Sequence, residues 1–486
     1  MTAPVGFCSE TRPDSCGVVL FGATGDLAAR RIIPALAGLC GKGLAPRNFY
    51  ALFVGRTPLD RPAFEARLAA AAAGAGGRCA RALLARARYL RADYDSPAFY
   101  RELSAALDAL DAEHGVEKKR LFYLATPPSA FEPIALRLKD AGLLSEPGGG
   151  AHWSRIIIEK PYGSSLESAC ALDSGLKKAV PESQIYRIDH FTGKETVQNI
   201  LALRAANPLF EETWNARFLD HVQITVFEEL GVEGRASFFE RMGLARDMMS
   251  HILQLAAVTA MDLPEGFRDS QFKEQKRRFF ASVPKPGPGE AAGFVRGQYA
   301  GYAGEPGVAQ GSTTETFLAF RLLVENDRWR GVPFYIRAGK KAGRKRTRID
   351  LAYKKPSSGA FSGTDAGYSN VFTLNIQPRE DLSLSMVTKH PGPKQCFTPR
   401  AMNLAYREHA EEAGAPDDYE RLLLEAMAGD QTLFLGDFEM KFLWDYLSPV
   451  LKAWEAPGAP LHLYPDGSAG PAAADALLER DGRRWF

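Results

Sequence analysis

The fold is decided by the stretch Gly17-Val18-Val19-Leu20-Phe21-Gly22-Ala23-Thr24-Gly25-Asp26-Leu27-Ala28. Its apolar run is typical of a buried parallel strand, and an amphipathic helix is predicted to follow through about Leu39. Glycines between a strand and a helix let the backbone approach a pyrophosphate, whose charge is stabilised at the helix N-terminus. The stretch therefore predicts the first unit of a dinucleotide-binding fold. Leu20 stands where the G-x-G-x-x-G pattern has its first glycine, so a purely structural turn is the alternative.

The residues after the second predicted strand indicate which nucleotide is bound. That strand covers residues 49–55 and is followed by Arg56, with no carboxylate before Asp60. NAD-binding folds often end this strand in an acid that binds the ribose hydroxyl, whereas an arginine suits a 2′-phosphate. The pattern favours NADP with Arg56 as a ligand, and an ordinary surface arginine is the alternative.

Further strands predict two kinds of sheet. Apolar runs at residues 121–125 and 155–159 extend the parallel sheet, and Lys160 follows the second of them, where doubly wound sheets bind their ligands. Alternating apolar runs without helices between them then occur at residues 222–227, 316–321 and 371–376. The predicted fold class is α/β plus α+β: an N-terminal Rossmann-like, doubly wound parallel sheet and a larger C-terminal domain built on a mainly antiparallel sheet.

The chain of 486 residues is too long for one compact core, so two domains are expected. The predicted ranges are 1–185 for a nucleotide-binding domain and 186–486 for an α+β domain. Within the second domain, the Pro/Gly-rich residues 284–307 are interpreted as a surface loop and the basic residues 341–348 as a solvated loop. A short helix is predicted near residues 472–479.

Composition and cysteine spacing exclude several classes of protein. A hydrophobic content of 45% and a charged content of 24% are ordinary for a globular protein, and the net charge of +2 argues neither for nor against a polyanion partner. The six cysteines form no CxxC pair, which fits reduced thiols better than a disulfide framework or a zinc site. No basic leader and no run of about 18 apolar residues occurs. We therefore expect a soluble, cytoplasmic protein with no metal site and no membrane or nucleic-acid partner.

A second stretch, Arg187-Ile188-Asp189-His190-Phe191-Thr192-Gly193-Lys194-Glu195, concentrates charged groups just before a helix that is predicted to begin near Lys194. His190 and Lys194 suit an anion there, because the exposed backbone N–H groups and the helix dipole add to the side-chain charges. Asp189 gains nothing from that anion and needs another partner, for which a distant histidine is the natural candidate. A solvated turn with ordinary surface charges is the alternative.

Of the eight histidines, His251 is the one that lies in a predicted helix apolar enough to be largely buried. Asp247 stands four residues earlier, on the same helical face. A neutral imidazole has a pKa suited to general-base catalysis near neutral pH. A structural Asp/His contact is the alternative, since side-chain pairs at this spacing commonly stabilise helices.

Three blocks, in order along the chain, resemble the glucose-6-phosphate dehydrogenases: Gly22-Ala23-Thr24-Gly25-Asp26-Leu27-Ala28, Glu159-Lys160-Pro161-Tyr162-Gly163 and the nonapeptide at residues 187–195. The resemblance continues to about Gln377. It implies an NADP-dependent enzyme that oxidises the C1 hydroxyl of glucose 6-phosphate to 6-phosphogluconolactone, assembled as a homodimer or homotetramer. It also implies a cis peptide bond before Pro161.

The resemblance further implies a role for each candidate residue. His251 is the general base, and Asp189 orients it and stabilises its protonated form. The residues implied to bind glucose 6-phosphate are Lys160, His190, Lys194, Glu228, Asp247, Lys340, Lys345 and Gln377. Those implied to bind NADP are Gly22, Ala23, Thr24, Gly25, Asp26, Leu27, Arg56 and Lys160.

Phe191 departs from the family pattern, which usually has a tyrosine whose hydroxyl contacts the phosphate. We expect weaker substrate binding as a result. The variant Phe191→Tyr should leave or lower the Michaelis constant for the sugar phosphate, and a marked rise would count against a phosphate site at His190 and Lys194.

Two other functions remain open from the sequence. A short-chain-type oxidoreductase would need a Tyr-x-x-x-Lys pair, but none of the 16 tyrosines has a lysine four residues on. A non-catalytic sugar-phosphate and NADP-binding paralogue would be expected to lack Asp189 or His251, and both residues are present.

Overall fold

A computed structural model of the chain describes residues 12–145, 152–266, 269–291, 293–355, 370–393, 397–405 and 416–486. These residues form two compact units. Unit 1 is drawn from Met1–Glu195, Arg268–Ser270 and Gly414–Met440, and unit 2 from Thr196–Phe267, Gln271–Ala413 and Lys441–Phe486. These ranges differ from the predicted boundary at residue 185 in two ways. Unit 1 keeps the loop after its last parallel strand, and it includes a late segment whose strand joins the same sheet.

The strands are β1 Cys16–Phe21, β2 Phe49–Gly55, β3 Ala87–Arg91, β4 Lys119–Leu124, β5 Trp153–Ile158, β6 Ile185–Ile188, β7 Leu219–Phe227, β8 Val295–Tyr299, β9 Phe317–Leu322, β10 Phe334–Gly339, β11 Arg346–Tyr353, β12 Val371–Gln377, β13 Asp381–Lys389, β14 Phe397–Ala405, β15 Phe434–Leu435 and β16 His462–Tyr464. The α-helices are α1 Ile33–Lys42, α2 Arg61–Ala72, α3 Gly77–Leu84, α4 Pro97–His114, α5 Phe131–Asp140, α6 Leu166–Ala179, α7 Glu195–Ala206, α8 Pro208–Glu211, α9 Ala236–Ala260, α10 Asp269–Ala281, α11 Pro288–Ala291, α12 Asp418–Ala428, α13 Asp437–Trp454 and α14 Ala472–Glu479.

Unit 1 is built on a sheet with the strand order β15-β6-β5-β4-β1-β2-β3. All neighbours are parallel except β15, which runs antiparallel to β6. Every residue of β1 and β2 is buried, as expected for apolar strands covered on both faces. The chain leaves β1 toward β2 on one side and returns beside it as β4, so the carboxyl end of β1 lies at a topological switch point.

Unit 2 is built on a sheet with the order β14-β13-β12-β11-β7-β10-β9-β8-β16. The pairs β7–β10 and β8–β16 are parallel and the remaining pairs are antiparallel. Helix α9 packs against β7, β9 and β10, and it is interrupted at Gly243, which has φ +63°. The predicted combination of a Rossmann-like sheet with a larger, mainly antiparallel sheet is confirmed, and the short helix predicted near residues 472–479 is α14.

Two predictions about unit 2 are wrong. The segment at residues 284–307 is not a surface loop, because it contains α11 and the largely buried strand β8, which joins β9 to β16. The basic segment at residues 341–348 is not all loop, because β11 begins at Arg346 and buries Thr347 between its basic neighbours. In both segments the strand was hidden in the sequence by glycine, proline or charge. Across the described ranges, no helix combines the length and apolar character needed to cross a membrane.

Candidate active-site residues in the two units

The glycine turn after β1 adopts the conformation that a nucleotide-binding loop requires. Gly22 has φ +77°, and a Cβ atom there would lie 2.2 Å from the carbonyl oxygen of Ala125. The N–H of Gly22 donates to the Tyr94 hydroxyl (3.0 Å), and the N–H of Gly25 donates to the Gly22 carbonyl (2.9 Å). A π-helical turn, Ala28–Ile32, then leads into α1. Only glycine fits at Gly22, so this end of β1 has the close backbone packing that a pyrophosphate cradle needs.

Lys160 follows β5 at the same edge of the sheet, and the Lys160–Pro161 peptide bond is cis, which confirms the expectation from the resemblance. Its neighbour Glu159 accepts a hydrogen bond from the Tyr123 hydroxyl (2.5 Å). Burial raises the pKa of Glu159 to about 7, although hydrogen bonds from Tyr123 and Tyr419 and the charge of Lys160 oppose the rise. A carboxyl group that titrates near neutral pH thus adjoins the candidate lysine.

Asp189 directly follows β6 and begins a tightly bonded turn. Its side chain is fully buried, and its Oδ1 accepts the N–H of Phe191 (3.1 Å). Its carbonyl oxygen accepts both the N–H (3.0 Å) and the hydroxyl (2.6 Å) of Thr192. The two contacts to the carbonyl oxygen order the turn, and the contact from Phe191 restrains the carboxylate.

His190 and Lys194 flank the buried ring of Phe191. The His190 and Phe191 rings meet edge to face with centroids 5.1 Å apart, and Lys194 Nζ lies 5.5 Å from the Phe191 ring centre. Helix α7 begins at Glu195, directly after Lys194, as predicted. Unit 1 therefore places the two residues proposed for the phosphate on the loop directly before α7.

In unit 2, Glu228 and Lys340 follow two parallel neighbouring strands. The last residues of β7 and β10, Phe227 and Gly339, are paired, and the N–H of Glu228 donates to the Gly339 carbonyl (2.9 Å). Lys340 Nζ is ion-paired with the Glu228 carboxylate and lies 5.2 Å from the ring centre of Phe239. The Lys340 ammonium is almost fully buried, and the Glu228 carboxylate is its ion-pair partner.

Lys345 and Gln377 reach the same edge from the other side of β7. Strand β11 is antiparallel to β7 and starts opposite its end, with Arg346 paired to Phe227. Lys345 immediately precedes β11 and is exposed. Gln377 ends β12 opposite Thr347, and its amide donates to the Thr347 hydroxyl (2.8 Å). Four of the predicted sugar-phosphate ligands therefore lie along one sheet edge.

His251 and Asp247 lie on α9, with the imidazole buried and the carboxylate partly exposed. The helix restarts after the break at Gly243, and Glu315 caps it there. The Glu315 carbonyl accepts the N–H of Leu244 and its Oε1 accepts the N–H of Ala245, each at 3.0 Å. Burial raises the pKa of Glu315. The cap on this helix segment thus comes from Glu315, two residues before β9, the strand that pairs with β10.

The predicted site residues separate into two groups. Unit 1 holds the glycine turn, Arg56, Lys160 and the loop with Asp189, His190 and Lys194. Unit 2 holds the remaining residues, which are Glu228, Asp247, His251, Lys340, Lys345 and Gln377. The pairing of Asp189 with His251 joins residues of different units and stays a prediction.

Sequence analysis missed the roles of Glu159, which is partly buried, and Glu315, which is buried. The signal for Glu159 was present, because a carboxylate directly after three isoleucines must enter an apolar environment. Glu315 had no local signal, because the helix that it caps begins 70 residues away in sequence.

Two family models match nearly the whole chain: "Glucose-6-phosphate dehydrogenase, NAD binding domain" over residues 19–199 and "Glucose-6-phosphate dehydrogenase, C-terminal domain" over residues 201–486. The glucose-6-phosphate 1-dehydrogenase of Chlamydia muridarum (strain MoPn / Nigg) is 36% identical, covering 97% of this chain and 96% of the relative. That of Bacillus subtilis (strain 168) is 35% identical, covering 96% and 98%. A solved structure, "Glucose-6-phosphate dehydrogenase in complex with its substrate glucose-6-phosphate", superposes with a TM-score of 0.90 at 29% identity, covering 98% of this chain and 99% of that chain.

Proposed function

The chain belongs to the glucose-6-phosphate dehydrogenase family, and we propose which of its residues carry out the reaction. It oxidises the C1 hydroxyl of D-glucose 6-phosphate to 6-phospho-D-glucono-1,5-lactone, the first step of the oxidative pentose phosphate pathway. NADP⁺, when bound, supplies the hydride acceptor. The similarity to relatives over almost their whole length, in both units, is the observation that carries this function.

His251 is the proposed general base. Oxidation of the C1 hydroxyl requires removal of its proton as the hydride leaves carbon, and a positioned imidazole does this near neutral pH. Asp189 is the proposed partner that orients the imidazole and stabilises its protonated form, in a division of labour similar to the acid and imidazole of a catalytic triad. Its bonded turn favours this role, since the Phe191 N–H donates to the carboxylate and restricts its reorientation.

His190 and Lys194 are the proposed ligands of the sugar's 6-phosphate. Their two side-chain donors and the N-terminus of α7 offer an anion both charge and N–H groups. Asp247 and Glu228 are the proposed acceptors for sugar hydroxyls. Lys340, Lys345 and Gln377 are proposed to complete the sugar-phosphate site from the sheet edge of unit 2.

The glycine turn of residues 22–27, Arg56 and Lys160 are proposed to hold NADP. The close approach at Gly22, where a Cβ would collide with Ala125, fits a cradle for the pyrophosphate. Residues 1–185 are accordingly proposed as the NADP-binding domain, and residues 186–486 as the substrate-binding and oligomerisation domain of a homodimer or homotetramer. A cytoplasmic location is proposed from the free cysteines among the described residues.

One assay tests the activity. Purified protein mixed with glucose 6-phosphate and NADP⁺ should generate the near-ultraviolet absorbance of NADPH, and omission of either compound should abolish it. A saturating mixture without signal would exclude the dehydrogenase and favour the non-catalytic paralogue. In that case, sugar-phosphate binding measured by calorimetry would persist without turnover.

A further inference from the structure

An arginine of α2 reaches back to the glycine turn that follows β1. Arg67 Nη2 donates a hydrogen bond to the carbonyl oxygen of Thr24 (2.6 Å). The hydroxyl of Thr57, just beyond β2, donates to the Thr24 hydroxyl (3.3 Å). The side chains of Arg67 and Thr57 therefore meet at Thr24, between the carboxyl ends of β1 and β2. In dinucleotide folds, the group that distinguishes the ribose 2′-hydroxyl from a 2′-phosphate lies in this position.

The end of β2 has no room for the carboxylate that NAD-binding folds use. A Cβ at Gly55 would lie 2.8 Å from the Tyr89 hydroxyl and 3.3 Å from the Thr24 methyl group. Tyr89 is fixed there, because its hydroxyl also contacts the carbonyl oxygens of Gly55 (3.0 Å) and Thr57 (2.5 Å). An acid at this position would have to displace both side chains. A ribose hydroxyl therefore finds no carboxylate at the end of this strand.

The charges around this corner are mainly positive. Burial raises the pKa of Tyr89, and the positive charges of Arg67 and Arg91 oppose that rise. Burial also raises the pKa of Tyr94, and the positive charge of Arg56 opposes that rise.

Three carboxylates close in sequence to these residues take part in local contacts. Asp60 caps α2 by accepting the N–H of Ala63 (2.9 Å), Glu65 pairs with Arg61 (2.7 Å) and Asp26 pairs with Arg30 (2.6 Å). The acids on these elements thus have local partners, and positive charge prevails beside Thr24.

We propose that Arg67 binds the 2′-phosphate of NADP and sets the preference for NADP over NAD, with Arg56 as a second cation. A guanidinium has five N–H donors in a rigid fork, and the hydrogen bond to Thr24 uses one of them. That bond holds the group at the turn before the nucleotide arrives, which reduces the entropy lost on binding. The inference rests on the proposed function only in that this domain binds a nicotinamide nucleotide.

The test compares Arg67→Ala with Arg61→Ala, a matched control on the same exposed helix. Dissociation constants for NADP⁺ and NAD⁺ are measured by calorimetry, and Michaelis constants by the absorbance assay. Loss of a charge-assisted hydrogen bond predicts that Arg67→Ala weakens NADP⁺ binding about ten- to hundredfold. Binding of NAD⁺ and the Michaelis constant for glucose 6-phosphate should not change, and Arg61→Ala should match the wild type. Equal loss for both nucleotides, or no loss, would overturn the proposal.

Two further variants make the result specific. Arg67→Lys keeps the charge but not the fork, so its NADP⁺ affinity should lie between those of the wild type and Arg67→Ala. If Arg56→Ala removes the whole preference for NADP⁺ over NAD⁺ while Arg67→Ala leaves it unchanged, Arg67 does not determine the nucleotide preference. If the wild type binds NADP⁺ but shows no turnover, the proposed function fails while the binding comparison still decides the role of Arg67.

Discussion

The glycine turn of unit 1 and the sheet edge of unit 2 assemble their functional residues in different ways. The turn comes from one continuous stretch between β1 and α1. The edge collects Glu228, Lys340, Lys345 and Gln377 from positions beside four different strands. The nucleotide cradle can therefore be predicted from a local motif. The residues of the proposed sugar site come together only when the strands pair in the correct register.

Strand direction explains the difference. In a parallel sheet every strand ends at the same edge, so the residue after any buried strand is a candidate ligand. In the mixed sheet of unit 2, β7 and β10 end at the edge, but β11 begins there. Residues that precede one strand and residues that follow another can therefore belong to the same site. Variants that affect only nucleotide binding or only sugar chemistry test whether the two regions are energetically separate.

The largest effect is expected for His251→Asn. Loss of a positioned base should lower kcat about 10²- to 10⁴-fold, since asparagine cannot accept the proton. Binding of NADP⁺ and glucose 6-phosphate, measured by calorimetry, should persist. The control is His390→Asn, which changes an exposed histidine on the same unit. Full activity in His251→Asn would show that the base lies elsewhere.

The next largest effect is expected for Lys340→Met, which should weaken sugar-phosphate binding without changing nucleotide binding. Lys340→Met removes the ammonium and leaves the Glu228 carboxylate without its partner. The loss of a hydrogen bond between charged groups predicts a Michaelis constant for glucose 6-phosphate that is about ten- to hundredfold higher. NADP⁺ affinity should stay unchanged. Lys341→Met, one residue further along, is the control, and an equal effect there would point to general disruption of the sheet edge.

A smaller effect is expected from the cap on α9. In Glu315→Ala the buried N–H of Ala245 loses its acceptor, which should lower the free energy of unfolding by about 1–3 kcal/mol. Because the cap fixes the start of the helix with Asp247 and His251, kcat should also fall while NADP⁺ affinity remains. Glu315→Gln keeps an acceptor oxygen and should behave like the wild type in denaturant titrations. If the glutamine variant is as damaged as the alanine variant, the cap is not the reason.

The sequence could predict what depends on neighbouring residues. The bounds of β2 and α14, the turn at Gly22 and the start of α7 after Lys194 all follow from apolar runs, glycines and spacing within a few residues. The resemblance named residues at the edge of unit 2, but it did not say that they share an edge.

The remaining features depend on long-range contacts. The reach of Arg67 to Thr24, the cap that Glu315 forms on α9 and the burial of β8 each join distant segments. The periodicity of a short sequence segment cannot predict such contacts, because each contact is stabilised by a partner that lies far away in the sequence. The same limit explains why a glycine- and proline-rich segment was interpreted as a loop when it contains a buried strand.

The last effect concerns the pH dependence of stability and Glu159, the carboxyl group beside Lys160. Its pKa is raised from an ordinary value of 4.5 to about 7 in the folded chain, so between these pH values the folded state holds a proton that the unfolded state has lost. Its contribution to stability therefore falls as the pH rises from about 4.5 to 7 and levels off above that range. Glu159→Gln, which stays neutral, should reduce the slope of unfolding free energy against pH in this window, measured by urea titration. Burial also raises the pKa of Glu425 to about 7, but Glu425 is present in both proteins, so the difference between the two curves belongs to Glu159. An unchanged slope, matching that of the exposed control Glu65→Gln, would mean that Glu159 is ionised in the folded chain throughout this range. The carboxyl group beside Lys160 would then lack the neutral-pH titration that its partly buried surroundings predict.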